Sequence, residues 1–182
     1  MAKTSLADYI VVTDHVIDPA HCAALIARFE ASDQVEKAEL EGAFSFTQLD
    51  VTSAWPDQRD ALVKVFVEHA GAYQRRVDAR FWPPRFGFEH LKMKRYLPDG
   101  RDAFPPHVDV MGQNASRRFL AAMIYLNAPE AGETVFGDLD VTIQPAPGRM
   151  VCFPPLWLFP HEGRPPLVRP KYILNTYLCY PG

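Results

Sequence analysis

The sequence predicts a mainly β protein with supporting helices, a jelly roll or barrel core on which N-terminal α-helices pack. Three observations predict it. Helical periodicity stops near residue 85, and from Phe86 the apolar pattern is strand-like, with no long helix pattern before Gly182. A series of short strand candidates follows in that second half, divided by Gly and Pro as in jelly rolls and barrels. The 17 prolines are scattered, as in Pro83-Pro84, Pro105-Pro106, Pro154-Pro155 and Pro165-Pro166, so they punctuate strands and loops instead of forming one linker. Helices that precede a strand-only half argue for one β core, hence a single domain over 1–182, with 1–85 as helical support and 86–180 as core.

In chain order, Tyr9 to Thr13 is a short strand candidate. Asp18 caps a helix with Pro19 at its first position, and Cys22, Leu25, Ile26 and Phe29 give it one apolar stripe, suited to covering a sheet. A polar, acidic connection leads to a strand candidate at Phe44 to Leu49. Pro56 opens a second helix with Leu62, Val65, Phe66, His69, Tyr73 and Val77 on one face, where His69 reads as a packing residue. The core strands are expected at Phe86–Tyr96, His107–Val110, Arg117–Leu126, Thr134–Phe136, Val141–Gln144, Arg149–Phe153, Phe159–Glu162 and Tyr172–Tyr180.

A net charge of −3 gives no basic field for nucleic acid, although basic residues cluster from Arg75 to Arg101. The N-terminal stretch lacks the apolar run of a leader, and no segment is long and apolar enough to span a membrane, so a cytoplasmic protein is expected. Cys22, Cys152 and Cys179 lie in apolar patterns without metal-binding spacing and read as buried thiols.

The chemistry centres on Phe104 to Asp109. Side chains two apart on a strand share a face, so His107 and Asp109 can present an imidazole and a carboxylate to one point. His161, beyond further strand candidates, can return beside them in a closed sheet. Two His and one carboxylate leave positions open on an octahedral ion, as in non-haem Fe(II) oxygenases. In the last strand, alternation puts Lys171, Ile173, Asn175 and Tyr177 on one face, with Tyr172, Leu174, Thr176 and Leu178 on the other. The first set suits a pocket that holds an anion, with Lys171 as the anchor for the far carboxylate of a metal-bound dicarboxylate.

The ordered series Tyr96, His107-Val108-Asp109, Tyr125-Leu126-Asn127, Gly132-Glu133-Thr134-Val135-Phe136, Pro147-Gly148-Arg149, His161 and Lys171 resembles the prolyl 4-hydroxylase-like branch of the 2-oxoglutarate and Fe(II)-dependent dioxygenases. The resemblance spans about residues 88 to 180. It implies a double-stranded β-helix, Fe(II) held by His107, Asp109 and His161, and 2-oxoglutarate on the iron with its 5-carboxylate paired to Lys171. It also implies Tyr96, Tyr125 and, more weakly, Thr134 as co-substrate contacts, O2 as oxidant, and ascorbate only as a stimulant of turnover. The reaction would couple substrate hydroxylation to decarboxylation of 2-oxoglutarate to succinate; the carboxylate at Asp109 favours hydroxylation over halogenation. Ala131 and Tyr177 depart from the pattern, where Gly and Trp are frequent. Tyr96 shares strand parity with Lys92 and Lys94, which requires either a polar barrel interior or a bulge.

The expected substrate is a prolyl or other residue of a peptide or protein, with a free small molecule as the alternative, and the enzyme is expected as a monomer or homodimer. Arg101, Gln113, Trp157, Phe159 and Arg164 are candidates for touching substrate, on segments 97–106 and 110–116 and beyond. Two further readings stay open: a non-oxidative metal-dependent cupin, and a β-barrel binding module whose His and Asp are incidental.

Overall fold

The structure of the protein is a computed structural model that describes residues 5–41 and 43–182. Residues 1–4, part of the stretch read above as lacking a leader, lie outside the described residues. Two antiparallel sheets face each other. The larger runs β1 (Val11–Thr13), β10 (Arg149–Phe153), β7 (Arg118–Tyr125), β12 (Lys171–Cys179), β5 (Lys92–Tyr96), β3 (Phe44–Asp50) and β2 (Glu36–Leu40), with β4 (Gly87–Phe88) also on β12. The smaller runs β6 (Phe104–His107), β11 (His161–Gly163), β8 (Thr134–Phe136) and β9 (Val141–Ile143).

Pleat alternation sorts the larger sheet into two environments. Leu120, Ala122 and Ile124 of β7, with Tyr172, Leu174 and Leu178 of β12, pack in one apolar cluster against α1 (Pro19–Glu30) and α3 (Pro56–Arg76). Ala121, Tyr125 and Ile173 pack in the other with Phe136, Ile143 and Phe159 from the smaller sheet and the segment before it. Each fully buried Leu, Ile or Phe in these layers stabilises the fold by about 1.5–3 kcal/mol.

The helices begin as their sequences dictate. Asp18 accepts a hydrogen bond from the His21 amide at 2.9 Å, and Pro19 occupies the first turn of α1. On α3 the buried stripe is Leu62, Phe66, Ala70 and Tyr73. His69 is half-buried, its Nδ1 bonded to the Val65 carbonyl at 2.9 Å within its own helix. The three cysteines are buried and unpaired. Among the described residues, no helix is long and apolar enough to cross a membrane.

Several boundaries differ from expectation. The acidic connection holds β2, an exposed edge strand paired along its length with β3, so the first half supplies strands as well as helices. The expected strand Phe86–Tyr96 is broken into β4 and β5, and Glu89 bonds to β12 through its own amide and carbonyl. α2 (Val51–Ala54), capped by Asp50, follows β3 directly. β6 ends at His107, so Asp109 lies in a bend beyond the strand end. Same-face alternation therefore does not place it.

Candidate metal centre

His107 and His161 are direct partners in the β6–β11 pairing, which brings together residues far apart in sequence. Their ring centroids are 4.3 Å apart, and Phe104 packs on His107 with centroids 3.7 Å apart. The His107 Nδ1 lies 2.8 Å from the Pro105 carbonyl, and the His161 Nδ1 lies 3.1 Å from the Phe159 carbonyl. A carbonyl only accepts, so each Nδ1 carries the proton and each Nε2 presents a lone pair to the site.

Asp109 meets both lone pairs from the bend after β6. Its Oδ1 is 3.7 Å from His107 Nε2, and its Oδ2 is 3.8 Å from His161 Nε2. One donor atom from each of the three residues lies within 4.8 Å of the others. Two nitrogens and a carboxylate oxygen match a divalent transition ion such as Fe(II), so the residues fit the metal the resemblance implies.

Several supports hold Asp109 there. The Tyr177 hydroxyl donates to Oδ1 at 2.6 Å, and Arg118 Nη1 donates to the Asp109 main-chain carbonyl at 3.1 Å. Arg118 itself is fixed by a bidentate pair with Glu89 at 2.7 and 2.8 Å. Burial would raise the Asp109 carboxyl, but His107 and His161 in their protonated forms and the Tyr177 hydroxyl outweigh it and hold it below the usual carboxylate range. Burial lowers His161, with Asp109 pulling the other way, which favours the neutral imidazole a metal requires.

A cavity of about 600 Å³, counted with its mouth, opens from these donors. His107, Asp109, His161, Tyr96, Tyr125, Thr134 and Lys171 all line it. At its inner end Lys171, 3% exposed, donates to the carbonyls of Arg164 at 2.9 Å and Gly132 at 3.3 Å. Its ammonium stands 4.5 Å from the centroid of the Tyr96 ring. Burial pushes Lys171 down to about 7, against a smaller opposing field from Glu133. The Tyr125 hydroxyl donates to Thr134 Oγ1 at 2.5 Å. Burial raises both Tyr96 and Tyr125, so each phenol stays protonated and able to donate.

The parity conflict at Tyr96 resolves as a polar interior. β5 pairs with β12 without interruption from Tyr96–Lys171 to Lys92–Asn175, and Lys94 lines the cavity beside Tyr96. Sequence reasoning noted that parity but gave Lys94 no role.

The five substrate-contact candidates are not brought to the cavity. Arg101 pairs with Asp99 and Arg164 with Glu162 at the surface. Gln113 begins an exposed turn, Trp157 is 75% exposed, and Phe159 is buried in the inter-sheet core. Phe159 and Arg164 act through main-chain carbonyls, on His161 and Lys171. The outer opening is instead lined by Phe44, Phe46, Pro105, Pro106, Met111 and Arg118, among others. Arg149 takes the structural place expected of it, bonded to Asp14 and to the Gln144 carbonyl.

Residues 91–179 match the family model of the 2OG-Fe(II) oxygenase superfamily. No curated protein matches the chain in sequence. Among solved structures, the viral collagen prolyl hydroxylase of Paramecium bursaria Chlorella virus-1, in a complex with 2OG, is similar with a TM-score of 0.75 and 22% identity, over 93% of this chain and 95% of that one. A Trichoplax adhaerens prolyl hydroxylase, in complex with a hypoxia inducible factor peptide fragment, gives 0.74 at 14% identity over 94% and 84%. A Pseudomonas putida prolyl-4-hydroxylase gives 0.72 at 18% identity over 94% and 92%. At these identities the likeness is one of fold.

Proposed function

Residues 91–179 being a 2OG-Fe(II) oxygenase superfamily domain, we propose that His107, Asp109 and His161 hold Fe(II) and that Lys171 pairs with the 5-carboxylate of 2-oxoglutarate. The observation that carries this is the shared cavity: three converging donors line it at one end and a buried, cavity-facing ammonium at the other. Bound together, iron and co-substrate supply the oxidative chemistry, in which O2 gives one atom to a substrate C–H bond and one to succinate while CO2 leaves.

The protein's own part is position and dryness. The Pro105 and Phe159 carbonyls fix the two imidazoles, and Tyr177 and Arg118 fix Asp109. Tyr125 and Thr134, bonded to each other and lining the same cavity as Lys171, are proposed as further contacts of the co-substrate carboxylate, with Tyr96 of β5 as a third. Burial of this end keeps water from competing for those hydrogen bonds.

The substrate is proposed as a prolyl residue of a peptide or protein, on the strength of the prolyl hydroxylase fold and of the peptide bound by the Trichoplax neighbour. A free small molecule is the second reading, favoured by the cation Lys94 in the cavity, which has no ion-pair partner among the described residues. We place the enzyme in the cytoplasm, in keeping with three unpaired buried cysteines.

The test is succinate formation from 2-oxoglutarate by anaerobically purified protein given Fe(II), ascorbate and O2. Wild type is expected to turn over slowly even without substrate, His107→Ala to be silent, and Lys171→Ala to recover at high 2-oxoglutarate. Iron binding without succinate under any of these conditions would favour the non-oxidative cupin.

A further inference from the structure

Two polar side chains of the cavity belong neither to the metal donors nor to the 2-oxoglutarate contacts proposed above. Lys94 Nζ stands 4.5 Å from the Phe46 ring centroid and 5.8 Å from that of Phe104. Among the described residues it has aromatic faces around it but no hydrogen-bonded partner. Desolvation pushes it down to about 8, with Asp109 opposing. Asn175 is 8% exposed, and among the described residues its Oδ1 has no hydrogen-bond partner.

The neighbouring carboxylates are already engaged. Asp109 accepts from Tyr177 and faces both imidazoles, Glu89 holds Arg118, and Asp50 takes His90 at 2.6 Å and Lys92 at 3.3 Å. Lys94 is half-buried, so its charge is partly taken from water with no anion beside it, and the buried Asn175 oxygen lacks a donor; each costs free energy. Such orphans inside a cavity are half of an interaction whose other half arrives with a ligand.

Their position says which ligand. Lys94 and Asn175 line both the inner cavity and the outer opening, together with Phe104, His107, Asp109 and Tyr177. They therefore stand at the passage where a substrate carbon would approach the metal, whereas Lys171 serves the far end. Resting on the hydroxylase reading, we infer that Lys94 and Asn175 select a substrate carrying a free carboxylate and an N–H close to the reacting carbon. The chemistry is that of a free imino or amino acid, or of a carboxy-terminal residue other than proline, whose peptide nitrogen carries no hydrogen, and excludes a residue internal to a chain. Lys94 takes the carboxylate, Asn175 Oδ1 accepts the N–H, and Phe46 and Phe104 cover the apolar body.

Calorimetry on Mn(II)-loaded protein tests this in two stages. A first titration with 2-oxoglutarate reports on the hydroxylase reading alone. Matched pairs then follow in the presence of 2-oxoglutarate: L-proline against L-prolinamide, and Gly-Leu against its C-terminal amide. At least one acid is expected to bind tenfold or more tighter than its amide, and which acid it is identifies free imino acid or peptide end. Lys94→Met should erase the preference and Lys94→Arg should keep it. Asn175→Asp, which puts a like charge into the cavity the carboxylate must enter, should also lower acid affinity. The inference is overturned if no acid outbinds its amide, if the preference survives Lys94→Met, or if Lys94→Met weakens 2-oxoglutarate instead of the acid.

Discussion

The Tyr177 hydroxyl lies 2.6 Å from Asp109 Oδ1, and the same phenol ring lies 3.9 Å from the guanidinium carbon of Arg118. One side chain thus aims the carboxylate and stacks under the cation that holds the carboxylate's main chain. That matters because Asp109 lies outside its strand, where no ladder hydrogen bond positions it. Tyr177→Phe keeps the stacked ring and deletes only the donor. Metal affinity is expected to fall about 10–100-fold, the usual cost of losing a partner that orients a ligand. Equilibrium titration with Mn(II) measures it, and unchanged affinity would show that Arg118 alone suffices.

Lys171 makes the co-substrate end sensitive to pH. Its ammonium is lowered from 10.5 to about 7 by burial. Between those values the unfolded chain holds a proton that the folded, ligand-free protein has released. Stability of that form should therefore rise with pH from about 7 towards 10.5. Dicarboxylate binding requires the ammonium, so above pH 7 it should take up a proton, and affinity should drop by up to about tenfold per pH unit. Titrations at pH 8 in buffers of different ionisation enthalpy read the uptake directly; zero uptake would contradict the assignment.

The turn before β8 gives two substitutions of opposite sign. Gly132 has φ +88°, and a Cβ there would lie 3.1 Å from Lys171 Cδ. Gly132→Ala should cost about 1–3 kcal/mol through backbone strain and displace the lysine stem, weakening 2-oxoglutarate binding. Ala131 already adopts φ 63°, which explains why Gly suits this position. Ala131→Gly relieves roughly 1–2 kcal/mol of left-handed strain against about 0.5–1 kcal/mol of added chain freedom. A small net stabilisation is expected, and urea midpoints of both variants decide the signs.

The inward face of β12 was legible because alternation holds along most of a nine-residue strand: Lys171, Ile173, Asn175 and Tyr177 line the cavity as expected, joined by Thr176 from the other set. So were Thr134–Phe136 and Arg149–Phe153, whose apolar runs are bounded by Gly and Pro. β2 was not legible, because Glu36-Lys37-Ala38-Glu39-Leu40 is an edge strand with solvated side chains and carries no apolar period. The pairing of His107 with His161 followed from closing the sheet, but the placement of Asp109 depends on Tyr177 and Arg118, which local spacing does not reveal. Lys94 left a trace, the awkward parity with Tyr96, and an inward lysine was the simpler of the two ways to satisfy it.

β12 lies between β7 and β5 in the larger sheet, yet it follows both of them in sequence. Without β12 the inner edges of β5 and β7 have no partner, and helices α1 and α3 have only part of the surface they cover. Placing that one strand therefore completes sheet, core and co-substrate pocket together.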